Sequence, residues 1–306
     1  MVHLEELPVD SIGDDEIKIK VHFASVNRTD CATIKASPFV ARFFTGLIKP
    51  RNIITGSDFA GEVIEVGAHV QKFKVGDHVF GFDDYLLSSH AEFLVLPLSK
   101  PIAKLDPSVR LEDAAACIEG AHYAFNFLNK VKINAGDRVL VNGATGAIGS
   151  ALIRLLVIEK VNVDAVGDTK KQELLKNLGA NNVFDFEKED FTELGGEYDF
   201  VFDAVGKSSF GKCKKVLSKK GIYISSELGR NSENIFYSLF TPIMGGRKVI
   251  FPFPLDKQGS VDKMKSLLET RLYPPLIDRY FSLDGAEQAF TYVNAGQKTG
   301  AVLLRF

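Results

Sequence analysis

The segment GDRVLVNGATGAIGSALIRLL, residues 136–156, decides the fold of this 306-residue chain. It reads as a short apolar strand, a glycine-rich turn and an apolar helix, in that order. Gly143 permits a tight turn, Gly146 lets the backbone approach a pyrophosphate, and Gly149 allows the helix to pack closely against the strand. The segment therefore predicts a phosphate cradle at the junction of a strand and a helix.

The start of that helix also favours an anion. Ala147 and Ile148 place backbone amides at the positive end of the helix, and Thr145 stands beside them in the turn. Three spaced glycines alone would fit a flexible turn equally well. Because a strand precedes them and an apolar helix and a second strand follow, we predict dinucleotide binding.

Downstream of the cradle, strands and helices alternate. The pattern predicts helices over 147–159, 171–178 and 210–217, and strands over 138–141, 161–166, 183–186, 198–204, 221–225 and 248–253. Nearly continuous apolar strands that alternate with helices indicate a parallel sheet covered on both faces, a doubly wound Rossmann domain. The first hundred residues instead read as short strands and turns, and no long helix is expected before about residue 111. A helix over 286–293 and a strand over 300–306 are predicted at the end.

Composition excludes several classes of protein. The formal charge of −2 argues against a nucleic-acid binder. The longest nearly apolar stretch, 147–158, is shorter than the ~18–20 residues of a membrane span. The three cysteines (Cys31, Cys117, Cys213) are scattered, so they form neither a structural zinc site nor a disulfide framework. The N-terminus lacks the pattern of a signal peptide. We expect a two-domain, cytoplasmic protein with a small-molecule substrate.

The tip of the second strand of the Rossmann pattern bears on the choice of dinucleotide. A carboxylate there selects NAD, whereas a small residue followed by bases admits the 2′-phosphate of NADP. Gly167 occupies the acidic position, and Thr169, Lys170 and Lys171 offer donors to a phosphate. Asp168 either accepts a ribose hydroxyl or caps the next helix. The pattern favours NADP, with NAD as the alternative.

Several motifs together resemble the medium-chain dehydrogenase/reductase superfamily, in its zinc-free quinone oxidoreductase-like branch. The matching stretches are ASVNRTD (24–30), GSDFAGEVIEVGAHVQKFKVGDHVFG (56–81), GDRVLVNGATGAIG (136–149), LGANNVFDF (178–186), YDFVFDAVGKSSF (198–210) and GAVLL (300–304). The resemblance implies an α/β protein with a GroES-like β domain over 1–111 and 254–306. A Rossmann domain over 112–253 would be inserted into it. It also implies NADPH-dependent hydride transfer to a quinone or an α,β-unsaturated carbonyl, and a homodimer.

The resemblance also addresses zinc. Zinc-containing relatives place catalytic ligands where this chain has Asn27, Ser57 and Glu119. An amide, a hydroxyl and one carboxylate lack the thiolate or imidazole donors of a catalytic zinc site. We therefore expect no metal, and a carbonyl polarised by hydrogen-bond donors instead.

Two residues are candidates for catalysis by resemblance. An asparagine like Asn27 lies near the nicotinamide ribose, and Asp30 is either its partner or a local cap. Tyr123 occupies a position beside the cofactor, where its phenol would donate to a substrate oxygen or simply pack at the domain boundary. Ala32 stands where relatives often have a tyrosine, which weakens a tyrosine-assisted mechanism.

The remaining site residues also follow from resemblance. Further cofactor contacts are expected from Phe186, Ala204, Val205, Gly206, Ser225, Ser226, Phe251, Pro252 and Phe253. An apolar substrate wall is expected from Phe43, Phe44 and Tyr237, although many of the 24 phenylalanines belong to the core. The lysine-rich segment 207–220 reads as the solvated face of a helix.

Three functions remain open on the sequence. They are a quinone or enone reductase, an oxidoreductase of another carbonyl or alcohol, and a non-catalytic NADPH-binding or sensing protein. Relatives also begin with an additional strand, so we expect either a shortened first domain or a start further upstream.

Overall fold

A computed structural model describes residues 2–9, 11–35, 54–84, 87–253 and 255–306. The chain divides into two compact units. The first unit comprises Met1–Glu119 and Asp256–Phe306, and the second comprises Gly120–Leu255. The first unit thus takes both ends of the chain, and the second is continuous.

The described residues form strands and helices that we number in chain order. The strands are β1 (Glu16–Val26), β2 (Asp58–Val66), β3 (His78–Phe82), β4 (Phe93–Pro97), β5 (Ile102–Lys104), β6 (Arg138–Asn142), β7 (Asn162–Gly167), β8 (Val183–Asp185), β9 (Tyr198–Asp203), β10 (Leu217–Ser225), β11 (Lys248–Ile250), β12 (Ile277–Ser282) and β13 (Ala301–Arg305). The α-helices are α1 (Arg28–Lys35), α2 (Leu111–Leu128), α3 (Ala147–Ile158), α4 (Gln172–Leu178), α5 (Phe210–Cys213), α6 (Glu233–Met244), α7 (Lys257–Glu269) and α8 (Ala286–Asn294).

The first unit is built on a mostly antiparallel sheet. Its strand order is β12-β13-β1-β2-β3-β5, and β4 also pairs with β1. Strand β1 alternates because Ile17, Ile19 and Val21 point into the core, whereas the lysines between them are more exposed. Its last residues, 24–26, are all buried and bring the chain to the start of helix α1.

The second unit contains a six-stranded sheet in the order β11-β10-β9-β6-β7-β8. Every described pairing in it is parallel. The strands are buried along most of their length, which is why their sequences are nearly continuous apolar runs. The predicted α/β class, with a GroES-like domain and a Rossmann-like parallel sheet, is confirmed.

Two predicted elements are too long. The helix predicted over 210–217 ends at Cys213, because Val216 and Leu217 are buried in the core and Leu217 begins β10. The strand predicted over 248–253 ends at Ile250, so 251–253 follow the sheet edge as a loop. Helices α1, α6 and α7 and strand β12 were not predicted. Among the described helices, none is long and apolar enough to cross a membrane.

Candidate active site

Three strands of the second unit end at the same level of the sheet. The register pairs Asn142, the last residue of β6, with Asp203, the last residue of β9. Asp203 is paired in turn with Ser225 at the end of β10. The predicted cofactor residues 143, 145–149, 204–206 and 226 follow these ends. Open α/β sheets bind ligands at this carboxyl edge.

The three glycines of the cradle differ in what surrounds them. A Cβ on Gly149 would lie 2.2 Å from the carbonyl oxygen of Gly143, so this position requires glycine for packing. A Cβ on Gly146 would meet only that same oxygen, at 3.5 Å. The backbone at Gly146 is therefore open to an approaching group. Helix α3 begins at Ala147 without a side-chain cap, which leaves its first amides available. These features fit a pyrophosphate.

A fourth glycine, which the sequence analysis missed, lies against this cradle. A Cβ on Gly120 of helix α2 would lie 2.6 Å from the carbonyl oxygen of Ala147. Only glycine lets α2 approach the start of α3 this closely. Tyr123 lies nearly one turn further along α2 and is half-buried, with its ring edge-on to His122 at 5.4 Å between centroids. The structure thus places Tyr123 on the helix that contacts the cradle.

Asp203 organises the turn that contains the predicted contacts 204–206. This fully buried carboxylate accepts hydrogen bonds from the amides of Val205 (3.3 Å) and Gly206 (2.9 Å). It also accepts from Asn142 Nδ2 at 3.0 Å and from the Tyr223 hydroxyl at 2.8 Å. The sequence could have indicated this turn, because Asp203 is an acidic residue at the end of an apolar strand and Ala204, Val205 and Gly206 follow it.

The end of β7 places the residues that were predicted to select the cofactor. A Cβ on Gly167 would lie 2.4 Å from Leu175 Cδ1, so no acidic side chain fits there without displacing Leu175. Asp168 accepts a hydrogen bond from the Lys170 amide at 3.0 Å, which is the helix-capping alternative. The ammonium groups of Lys170 and Lys171 form no ion pair with any described residue.

Thr169 is arranged less favourably for a phosphate than the sequence suggested. Its hydroxyl donates to Asp185 Oδ2 at 2.6 Å, and its amide donates to Glu187 Oε2 at 3.2 Å. The hydrogen bond from Thr169 lowers the pKa of Asp185, with help from Lys188, so this carboxyl is ionised. Both donors of Thr169 therefore already serve carboxylates.

The remaining predicted site residues belong to other segments of the chain than the glycine turn. Phe186 follows β8 and is 59% exposed. Phe251 and Phe253 pack edge-on at 4.8 Å between centroids, with Pro252 buried between them in sequence. Tyr237 lies on helix α6, with its ring 5.5 Å from that of Phe210. The predicted substrate residues Phe43 and Phe44 lie outside the described residues.

In the first unit, Asn27 caps helix α1. Asn27 Oδ1 accepts from the Asp30 amide at 3.0 Å, and Asp30 Oδ2 accepts from the Asn27 amide at 3.1 Å. This reciprocal pair is a capping box. Asp30 therefore has the capping role that the sequence left open.

The amide nitrogen of Asn27 is also engaged. Asn27 Nδ2 donates to Ser57 Oγ at 2.7 Å and lies 3.3 Å from Ser25 Oγ. Ser25 in turn donates to Asp58 through both its amide (2.6 Å) and its hydroxyl (2.5 Å). Because Ser57 accepts the hydrogen of Asn27, its own hydroxyl donates to the Asp30 carboxyl instead. The structure thus joins Asn27 to Ser57 and Asp58 by hydrogen bonds that the sequence analysis missed.

Burial shifts the ionisation of this cluster towards neutral forms. Desolvation raises the pKa of Asp58 to about 7, despite its hydrogen bonds from Ser25 and Asn27. Desolvation, followed by the charge of Asp58, raises the pKa of Asp30 well above its usual value. Burial also raises the pKa of Glu119, against the opposing charges of Lys298 and Arg28.

His90 connects this cluster to the neighbouring loop. It lies between Thr55 Oγ1, 2.8 Å from Nδ1, and the carbonyl oxygen of Ser25, 2.9 Å from Nε2. Burial lowers the pKa of His90 to about 4. Although His90 Nε2 lies 4.0 Å from Asp30 Oδ2, the lowered pKa leaves His90 uncharged at pH 7, so the contact is not an ion pair. Within the described part of the chain, no group of His, Cys, Asp and Glu side chains is arranged to hold a metal ion.

Known proteins are similar to this chain in both fold and sequence. Residues 13–93 match the alcohol dehydrogenase GroES-like domain, and residues 178–304 match the zinc-binding dehydrogenase family. A 2-methylene-furan-3-one reductase from Solanum lycopersicum is 30% identical over 97% of this chain and 73% of its own length. An NADPH-dependent alkenal/one oxidoreductase from Arabidopsis thaliana is 27% identical over 97% and 73%. The structure of the quinone oxidoreductase from Coxiella burnetii superposes with a TM-score of 0.85 and 24% identity, over 98% of this chain and 93% of that one.

The fold and the glycine cradle define an oxidoreductase that binds a nicotinamide dinucleotide. The chain belongs to the medium-chain dehydrogenase/reductase superfamily, in its quinone oxidoreductase-like and alkenal/one reductase branch.

Proposed function

We propose that the protein is an NADPH-dependent reductase of quinones or α,β-unsaturated carbonyls that works without zinc. The observation that carries the proposal is the cradle at the carboxyl edge of the parallel sheet. There the backbone at Gly146 is open and the start of α3 is uncapped. The class of acceptor comes from the printed names of the relatives. When bound, NADPH supplies the hydride.

Preference for NADPH over NADH rests on the end of β7. Leu175 leaves no room for an acidic side chain at Gly167, and Lys170 and Lys171 carry ammonium groups without an ion-pair partner among the described residues. NAD sites have an acidic residue at the position of Gly167, where it binds the ribose 2′-hydroxyl. Two free lysines suit the additional phosphate of NADPH instead.

Binding measurements on Lys170→Ala test this assignment. Loss of one charged contact to phosphate predicts about tenfold weaker NADPH binding and unchanged NADH binding. Lys176→Ala, another exposed lysine at the end of α4, is the matched control and leaves both affinities unchanged. Equal losses for NADPH and NADH with Lys170→Ala would refute the phosphate assignment.

Zinc independence rests on the side chains that stand where zinc-containing relatives place their metal ligands. Asn27 Nδ2 donates a hydrogen bond to Ser57 Oγ, so these two side chains are satisfied by each other rather than by a cation. In our proposal, the Tyr123 phenol donates a hydrogen bond to the substrate oxygen and so stabilises the negative charge that develops there. Activity that survives exhaustive chelation, with no zinc in the purified protein, is expected. Loss of activity on chelation, with recovery on zinc addition, would contradict it.

Turnover measurements separate this proposal from its alternatives. We expect NADPH oxidation with quinones, enones or alkenals, and none with simple ketones or aldehydes. Turnover only with the second group would favour a different carbonyl oxidoreductase. Tight NADPH binding without turnover of any acceptor would favour a sensing protein. The homodimer and the cytoplasmic location remain predictions, which light scattering and cell fractionation would test.

A further inference from the structure

The loop after strand β10 places an acidic side chain beside the turn that follows β9. A Cβ on Gly206 would lie 2.5 Å from Glu227 Cγ and 3.5 Å from the Glu227 carboxyl carbon. The side chain of Glu227 therefore packs directly against the backbone of Gly206, and it is half-buried there. The carboxyl edge of the parallel sheet thus carries a carboxylate at a defined position.

The turn against which Glu227 packs also contacts the glycine cradle. A Cβ on Gly143, the first glycine of the cradle, would lie 2.6 Å from Val205 Cβ. Val205 directly precedes Gly206, so one short turn contacts the cradle on one side and Glu227 on the other. All of these residues belong to the second unit. A ligand that is held at the cradle and extends along this turn therefore reaches Glu227.

The strand order assigns the two halves of a dinucleotide to opposite sides of the cradle. Strand β6, which leads into the cradle, lies between β7 and β9 in the sheet. In the proposed function, the 2′-phosphate of the adenosine half binds Lys170 and Lys171 after β7. The nicotinamide half then extends in the other direction, over the ends of β9 and β10, where Gly206 and Glu227 lie. The present inference rests on the proposed function for this assignment.

A carboxylate beside the nicotinamide half distinguishes the two oxidation states of the cofactor. The reduced nicotinamide ring is neutral, whereas the oxidised ring carries one positive charge. The pyrophosphate and the 2′-phosphate are the same in both forms. A half-buried carboxylate attracts the cationic ring more strongly than it would in bulk water, because the effective dielectric constant is lower there. Neutral backbone donors and acceptors at the same place would discriminate much less.

We propose that Glu227 lies beside the nicotinamide ring of the bound cofactor, and that its carboxylate strengthens the binding of the oxidised form. The same positive charge is created when a hydride leaves the ring and adds to the acceptor. That transfer oxidises the cofactor and reduces the acceptor, which then takes up a proton from water. By stabilising the oxidised ring, Glu227 favours the transfer.

Glutamine at position 227 would remove the charge and retain the size of the side chain. The backbone of Glu227 is held by two hydrogen bonds that do not depend on the carboxylate. Its amide donates to Ser225 Oγ at 3.2 Å, and its carbonyl oxygen accepts from Asn234 Nδ2 at 2.8 Å. Glutamine keeps both of them and the packing against Gly206. Glu227→Gln is therefore the substitution that tests the charge itself.

Calorimetric titration of the full chain with NADP⁺, NADPH, NAD⁺ and NADH tests the proposal. We expect Glu227→Gln to weaken NADP⁺ binding about tenfold and to change NADPH binding less than about threefold. NAD⁺ should lose as much affinity as NADP⁺, because the two share the ring. Lys170→Ala, in contrast, acts on the 2′-phosphate. Glu227→Asp, which keeps the charge, should keep most of the NADP⁺ affinity.

A matched control separates the local charge from the net charge of the chain. Glu159 is exposed at the far end of the 12-residue helix α3, about 18 Å from the cradle, so Glu159→Gln should leave all four affinities unchanged. Thermal unfolding checks that each variant is folded. If Glu227→Gln changes the affinities for the oxidised and reduced forms equally, or changes neither, this inference is overturned and the proposed function is not. If the wild type binds none of the four dinucleotides, both are overturned.

Discussion

Two alanine substitutions in the glycine cradle should differ in their effect on the free energy of unfolding. Gly146 has φ −73° and ψ 172°, which alanine adopts freely, and its Cβ would meet only Gly143 O at 3.5 Å. Alanine is a poorer N-cap than glycine, which destabilises the folded state. It also restricts the unfolded chain, which stabilises the folded state by a similar amount. Gly146→Ala therefore changes the free energy of unfolding by no more than about 0.5 kcal/mol.

Gly149→Ala behaves differently because its Cβ collides with backbone. The new methyl would lie 2.2 Å from Gly143 O and 2.7 Å from Ala144 Cα, and neither atom moves cheaply. Overpacking of this kind lowers the free energy of unfolding by about 1–3 kcal/mol. Chemical denaturation of the two variants beside the wild type measures the difference.

Cofactor affinity is the second readout for Gly146→Ala. In the proposed site, a methyl on Gly146 would occupy the space that the pyrophosphate needs. Loss of one charge-assisted hydrogen bond, worth about 1.5–3 kcal/mol, weakens binding about 10- to 150-fold. NADPH and NADH should be affected alike, since they share the pyrophosphate. Fluorescence titration gives both dissociation constants. Unchanged affinity in a Gly146→Ala variant of wild-type stability would refute the placement of the pyrophosphate at this turn.

Three further substitutions test other parts of the site. Burial raises the pKa of Asp58 from 3.8 when unfolded to about 7, so the folded state holds its proton more tightly and loses up to about 4 kcal/mol of stability between pH 4 and 7. Asp58→Asn should remove that loss, and parallel pH profiles would contradict it. Asp203→Asn should lower the free energy of unfolding by about 2–3 kcal/mol, whereas half-buried Asp199→Asn should change it little. Tyr123→Phe should lower kcat about a hundredfold at nearly constant KM if its phenol donates to the substrate, and a change below about tenfold would indicate packing alone.

The sequence was sufficient for the parts of the fold that depend on local pattern. The cradle, the strands of the parallel sheet and the helix after Ala147 follow from glycine spacing and apolar periodicity. Helix α6 escaped prediction because its apolar residues do not face the core and because Pro242 and Gly245 interrupt the pattern. Helix α5 ended early because Leu217 is more favourable in β10 than in another helical turn.

The hydrogen-bond network of the first unit could not be predicted in the same way. The network joins two segments about thirty residues apart, and no local pattern in either segment predicts their contact. Its members are Ser25, Asn27, Ser57 and Asp58. The capping alternative for Asp30 was a local pattern and was visible in the sequence. The hydrogen bond between Asn27 and Ser57 depends on the pairing of β1 with β2, which only the structure provides.

The most direct test of the proposed function is the rate of nicotinamide oxidation by the chelator-treated, zinc-free protein. NADPH and NADH are compared, each with a panel of quinones, enones and simple aldehydes. We predict turnover of NADPH with a quinone or an enone, much slower turnover of NADH, and no stimulation by added zinc. Turnover that requires zinc, prefers NADH or is confined to simple aldehydes would contradict the proposal.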